Sequence, residues 1–62
     1  MRLRLKSAIK KLTVGGLALK MGCSQPYISA LKKRHPLAWV YFENGEPVRI
    51  EYTLKGVLHK RN

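Results

Sequence analysis

Basic and apolar residues alternate over the first five positions, MRLRL, and this period of two predicts a short strand. The period then lengthens. Leu5, Ala8, Ile9 and Leu12 recur at helical spacing, with Lys6, Lys10 and Lys11 on the other side. Ser7 is available as an N-cap, so a first helix is expected over residues 6–12. Thr13 is the next capping candidate. Leu17, Ala18 and Met21 share one face of a second helix over residues 14–21. Gly15 and Gly16 weaken it by up to ~1 kcal/mol each relative to Ala, so packing must hold it. Gly22 ends it, because the residue after a helix often needs a positive φ.

Residues 21–35 read MGCSQPYISALKKRH, with a proline near the front of a helical pattern. Ser24 is a good N-cap, which places Gln25 and Pro26 in the first turn. Amides there have no intrahelical partner, so Pro26 starts this third helix rather than breaking one. Ile28 and Leu31 form its apolar stripe, with Tyr27 at the edge. Lys32, Lys33 and Arg34 suit the last turn, where cations meet the negative end of the helix dipole. Pro36 stops the helix.

Two apolar runs, LAWVYF and PVRIEYTL, flank ENGE, and Asn44-Gly45 signals a hairpin with a two-residue type I′ turn. Such a turn pairs Glu43 with Glu46, Tyr41 with Val48, Trp39 with Ile50 and Leu37 with Tyr52. One face then carries Leu37, Trp39, Tyr41, Val48, Ile50 and Tyr52, and this face is assigned to the core. The other carries Ala38, Val40, Phe42, Pro47, Arg49, Glu51 and Thr53. Residues 55–62 read as a flexible basic tail in which Val57 and Leu58 are isolated.

Composition narrows the class. The chain has 62 residues, which bounds it to a single domain, and one Cys, which excludes an internal disulfide framework. Cys23, His35 and His59 cannot fill a four-ligand structural zinc site, so no metal and no cofactor are expected. A second copy of the chain is then a source of extra buried surface. Lys and Arg number 13 against 3 Glu, for a formal charge of +10. That charge predicts attraction to a polyanion. Residues 1–42 contain no acid, so the positive field belongs mainly to the first two-thirds. No apolar run reaches the ~18 residues of a membrane span, and the N-terminus lacks the uninterrupted core of a signal peptide. The cytoplasm is therefore the expected compartment.

Two short helices joined at Gly22-Cys23-Ser24 form a helix-turn-helix candidate. Leu17, Ala18, Met21, Gly22, Cys23, Ile28 and Leu31 stand where the motif needs small, turning or apolar residues. With Leu5-Lys6 after the first strand, the Ala18 and Gly22 pair, and Gln25 followed by Tyr27-Ile28, the chain resembles the Cro repressors of lambda-type phages. The resemblance covers roughly residues 3–54. It implies an α+β fold: three short helices containing the helix-turn-helix, plus a small antiparallel sheet from the N-terminal strand and the C-terminal hairpin. It also implies a homodimer that binds double-stranded DNA, with a recognition helix in the major groove.

Carried over by position, Gln25 matches the family's Gln at the start of the recognition helix, where it can bond adenine N6 and N7. Ser29 stands where the family has an Asn. Pro26 and Ala30 replace a Ser and a Lys that contact bases, and Ser24 replaces a Tyr at a phosphate contact. These departures leave the operator sequence open and the binding mode intact. Base contacts are thus expected at Gln25, Pro26, Ser29 and Ala30. Backbone contacts are expected from Ser24, Lys32, Lys33, Arg34, Val14 and Lys10. The dimer interface is expected along Glu51, Tyr52, Thr53 and Leu54, with Val57, Leu58, Val40 or Phe42 adding apolar contact.

Other readings compete. A small basic winged protein can be an excisionase-like architectural factor, but Glu43 and Glu46 at the hairpin tip would face phosphates. A ribosome- or RNA-associated protein would bind structured RNA without palindromic preference. A membrane-active peptide is disfavoured, because residues 5–12 are too short. Cys23 reads as a packed small hydrophobe, and His35 and His59 have no Ser, Asp or Cys partner, so no enzyme and no small-molecule substrate are expected. Trp39 and the tyrosines could stack single-stranded bases. Their assignment to the core face argues against that.

Overall fold

Leu3 decides which way the sheet faces. It stands between Arg2 and Arg4 on strand β1 (Arg2–Arg4) and pairs with Val40 on β2 (Trp39–Glu43). Removing an ion from water costs several kcal/mol, so the two arginines cannot enter an apolar core. Leu3 and Val40 point inward, where Val40 is fully buried, and Arg2 and Arg4 stay exposed.

The computed structural model describes residues 1–61. β1 leads into helix α1 (Leu5–Met21), helix α2 (Gln25–Arg34), β2, β3 (Glu46–Leu54) and β4 (Val57–Arg61). The strands form one antiparallel sheet in the order β1-β2-β3-β4, and α1 packs against it.

The expected three helices are two. Residues 5–12 and 14–21 run on as one element, with Thr13 (φ 68°, ψ 164°) as its non-helical residue. A one-residue break leaves no loop between the two segments. That conformation is open mainly to glycine, and a β-branched residue held there stores about 1–3 kcal/mol of strain. The Thr13 hydroxyl accepts from the Gly16 N–H at 3.1 Å and caps the second segment, which offsets about 1 kcal/mol. Ser7 is not a cap. α1 begins earlier, at Leu5, whose N–H donates to the Ala38 carbonyl at 2.8 Å.

Asn44 (φ 53°) and Gly45 (φ 81°) form the hairpin turn, both with the positive φ a type I′ turn requires. Glu43 pairs with Glu46, but the next pairs depart from the expected ones. Phe42 lies opposite Pro47, Tyr41 opposite Arg49, Val40 opposite Ile50 and Trp39 opposite Glu51. Val48 is the extra residue of a β-bulge. The buried sheet face is therefore Ala38, Val40, Phe42, Pro47 and Ile50. This corrects the core face expected at Leu37, Trp39, Tyr41, Val48, Ile50 and Tyr52. Of those six, Ile50 is fully buried and Tyr52 packs partly against the core, while Leu37 is 70% exposed. The reason is electrostatic. Without the bulge, the face that Leu3 selects would carry Arg49 and Glu51 inward; the bulge puts Ile50 there instead.

The tail is also corrected. Lys55 (φ 51°) and Gly56 (φ 78°) make a second two-residue turn, and β4 pairs with β3 from Leu54–Val57 to Ile50–Arg61. Asn62 lies outside the described residues. Tyr52 stacks between His35 and His59, at 4.3 and 5.1 Å between ring centroids. The Arg61 guanidinium lies 4.9 Å from the centre of the Tyr27 ring. β4 thus touches the front of α2 through Arg61 and reaches its C-cap, His35, through Tyr52 of β3.

One cluster joins the elements. Leu5 and Ala8 meet Leu17, Ala18 and Met21 of α1, Ile28 and Leu31 of α2, and the inner face of the sheet. Burying a Leu, Ile or Val side chain is worth about 1.5–3 kcal/mol. The exposed Lys20–Glu46 ion pair (2.7 Å), which ties α1 to the hairpin turn, is worth about 1 kcal/mol or less. Apolar burial therefore holds the fold, and the surface ion pair trims it.

Thr13 supplies a test. Thr13→Ala removes the hydroxyl and keeps the strained backbone, so it should lower stability by about 1 kcal/mol in urea denaturation. Thr13→Gly also loses the hydroxyl but relieves the strain, and should exceed Thr13→Ala by about 1 kcal/mol or more. Equal stabilities would show that the Thr13 backbone stores no strain.

Candidate nucleic-acid interface

The turn between α1 and α2 is built from local chemistry. Gly22 adopts the left-handed conformation (φ 69°, ψ 33°). Its N–H donates to the Leu19 carbonyl at 3.3 Å, and the Cys23 N–H donates to the Ala18 carbonyl at 3.0 Å. These two bonds satisfy the last carbonyls of α1 in the manner of a Schellman motif. Cys23 is partly buried against the core.

Ser24 then opens α2. Its hydroxyl oxygen accepts from the Tyr27 N–H at 3.2 Å, and its carbonyl accepts from the Ile28 N–H at 3.3 Å. Pro26 sits in the first turn, where its missing N–H costs nothing. At the other end, Lys32, Lys33 and Arg34 occupy the last turn, and the His35 N–H donates to the Leu31 carbonyl at 2.6 Å.

Ile28 and Leu31 fix the rotation of α2, because both are buried. Gln25, Pro26, Ser29, Ala30, Lys32, Lys33 and Arg34 are all exposed. Gln25 is not free to wander. Its side-chain amide lies over Gly15, where an added Cβ would stand 3.2 Å from Nε2. Gly15 therefore seats Gln25, and with it the start of α2 lies beside the start of the 14–21 segment, where Val14 is half-buried. Tyr27 is held above the usual phenol pKa, chiefly by burial and then by Tyr52, with Arg61 opposing. It keeps its proton across the ordinary pH range. Lys10 is exposed on α1 ahead of the Thr13 break.

The expected dimer strand is placed differently. Glu51, Tyr52, Thr53 and Leu54 pair with Lys60, His59, Leu58 and Val57 of the same chain, so β4 covers that edge of β3. Val40 and Phe42 lie in the core and are closed to a partner. Val57 and Leu58 are exposed on the edge strand β4.

A second group escaped the sequence reading. Arg2, Arg4, Trp39, Tyr41, Arg49 and Lys60 share the outer face of the sheet. The signal was present in the alternation of β1: a face opposite Leu3 must carry both arginines, and the strand beside it contributes Trp39 and Tyr41. Among the described residues, no group of three or more His, Cys, Asp or Glu could hold a metal ion, and no helix is long and apolar enough to cross a membrane. No family model, curated protein or solved structure matches the chain.

Two substitutions test the construction of this site. Ser24→Ala removes the cap and should cost about 1 kcal/mol of stability, measured by thermal or urea unfolding. Gly15→Ala adds up to ~1 kcal/mol of helix propensity and meets only the end of a flexible side chain. It should leave stability level or slightly raised while displacing the Gln25 amide resonances in an NMR spectrum. A large loss of stability would mean that Gly15 does more than seat Gln25.

Proposed function

We propose that this chain is a sequence-specific regulator that binds double-stranded DNA and reads a pseudo-palindromic operator through the major groove. One observation carries the reading. The exposed face of α2 is short-chained and uncharged at its capped front, and cationic at its rear. Such a helix presents small polar groups to base edges and cations to the phosphate walls of the groove. The likeness to Cro repressors in the helix-turn-helix segment supports repression as the outcome, and the cytoplasm is the compartment this role implies.

Gln25 is the principal base reader in this scheme, through a bidentate bond to adenine. Ser29, one turn further on, is the second. Pro26 and Ala30 offer only apolar contact, suited to a thymine methyl group. Ser24 uses its oxygen as the helix cap and keeps its O–H to donate to a phosphate. Lys32, Lys33 and Arg34 supply charge to the backbone, with Lys10 and Val14 at the flank.

A single α2 reads too few base pairs for a unique operator. Two copies related by a two-fold axis would place their recognition helices about 34 Å apart, in successive major grooves. The contact between copies falls at the outer edge of β4, beside exposed Leu54, Val57 and Leu58, since β3 is already paired.

Selection of bound duplexes from a random pool should return two half-sites about one helical turn apart. Sedimentation in the presence of that duplex should show two chains per site. Gln25→Ala should cost about 1–3 kcal/mol and relax preference at one base pair. Lys33→Ala should weaken all sequences alike and flatten the salt dependence. A pool without a palindrome, together with stronger competition from structured RNA than from duplex DNA, would eliminate the reading.

A further inference from the structure

The outer face of the sheet combines rings and cations in an arrangement that folding does not require. Across the strands Arg4 lies opposite Trp39, Arg2 opposite Tyr41, Tyr41 opposite Arg49, and Glu51 opposite Lys60. The guanidinium carbons of Arg2 and Arg4 stand 4.0 and 3.8 Å from the centre of the Trp39 ring, and that of Arg49 stands 4.3 Å from the Tyr41 ring. Arg4 is held in position by donating from Nη1 to the Leu37 carbonyl at 2.5 Å. Among the described residues this face carries Glu51, which Arg49 Nε holds at 2.6 Å in an ion pair not aligned as a hydrogen bond, and exposed Glu43 at the hairpin end, which alternates with Trp39 and Tyr41 along β2. Arg2, Arg4 and Lys60 are left to attract an anion.

A cavity of about 420 Å³ opens at one end of the same face, lined by Arg4, Arg34, Trp39, Tyr52 and Leu58 among others, and by Glu51, whose charge Arg49 opposes. That volume is in the range of ligand pockets. A planar, apolar-faced group bearing a negative charge nearby matches both its walls and its rim.

We propose that this face is a second binding site, and that its occupant is single-stranded DNA. Unpaired bases stack on the guanidinium planes of Arg2, Arg4 and Arg49, which lie over the Trp39 and Tyr41 rings, one base enters the cavity, and phosphates meet Arg2, Arg34 and Lys60. Such stacking is tolerant of sequence, because every base has a π-face. A duplex keeps its base faces inside its own stack and cannot supply them. Glu51, the acceptor that lies opposite Trp39, is taken by Arg49, so the centre of the face offers little to select a ribose hydroxyl. The site shares Arg34 with the proposed α2 interface and otherwise stands on residues separate from that helix, so Gln25 and Ser29 can be tested apart from it.

The test uses the full chain and oligo(dT) of about 12 nucleotides, within the site sizes typical of such platforms. The chain has a single tryptophan, Trp39, so its fluorescence reports on the platform directly. Oligo(dT) should quench it, and affinity should fall steeply with salt. Arg2→Ser and Lys60→Ser, both at exposed positions, should each weaken binding several-fold while the circular dichroism stays unchanged. Trp39→Leu, followed by anisotropy of a labelled strand, should weaken it about tenfold or more. Gln25→Ala should leave oligo(dT) binding intact, which separates failure of this site from failure of α2 as a reader. Absence of quenching would overturn the proposal. So would equal quenching by heparin, undiminished binding by both Arg2→Ser and Lys60→Ser, or a preference for oligo(rU) above about tenfold.

Discussion

The bulge at Val48 is the constraint on which the rest of the sheet depends. Leu3 turns the β1–β2 pair so that Val40 and Phe42 face inward. A regular hairpin would then deliver Arg49 and Glu51 to the same side. Burying either would cost several kcal/mol, more than any surface pair in the molecule returns. One extra residue in β3 shifts the phase, brings Ile50 under α1 and leaves Arg49 and Glu51 on the outer face, paired with each other, with the Glu51 side chain 12% exposed. The same shift puts Trp39 and Tyr41 on the outer face among arginines.

The helical half rests on a different kind of control. Gly22 and Ser24 act within a few residues of themselves: one closes α1 through a left-handed backbone, the other opens α2 through its hydroxyl. Ala18 allows the helices to approach, and Ile28 with Leu31 sets which side of α2 is hidden. Gly15 gives up helix propensity and in return seats Gln25. β4 then fastens α2 from its far side, through Arg61 against Tyr27 and the His35–Tyr52–His59 stack. The segment that read as a flexible basic tail is the one that steadies the proposed reading helix.

Two faces of this small chain carry positive charge in different surroundings. On α2 the cations lie behind short polar side chains, an order suited to a groove with phosphate walls. On the sheet they lie over aromatic rings, where cation–π contacts worth about 0.5–1 kcal/mol each hold them in place without neutralising them.

What the sequence determined by itself was the turn at Gly22–Ser24 and the helix that follows it. The third expected helix, with its cap, its proline and its basic end, stands as α2, and the Asn44-Gly45 turn closes the hairpin. Those signals are local: each depends on one side chain and the backbone within a turn of it. The tertiary structure decided what depends on distant partners. It merged the first two expected helices through Thr13, since nothing in residues 5–21 alone says whether a break opens into a loop. It chose the buried face of the hairpin, because that choice was made by Leu3 from another strand. And it turned the tail into β4, because Val57 and Leu58 carry no strand pattern of their own until the edge of β3 is there to pair with them.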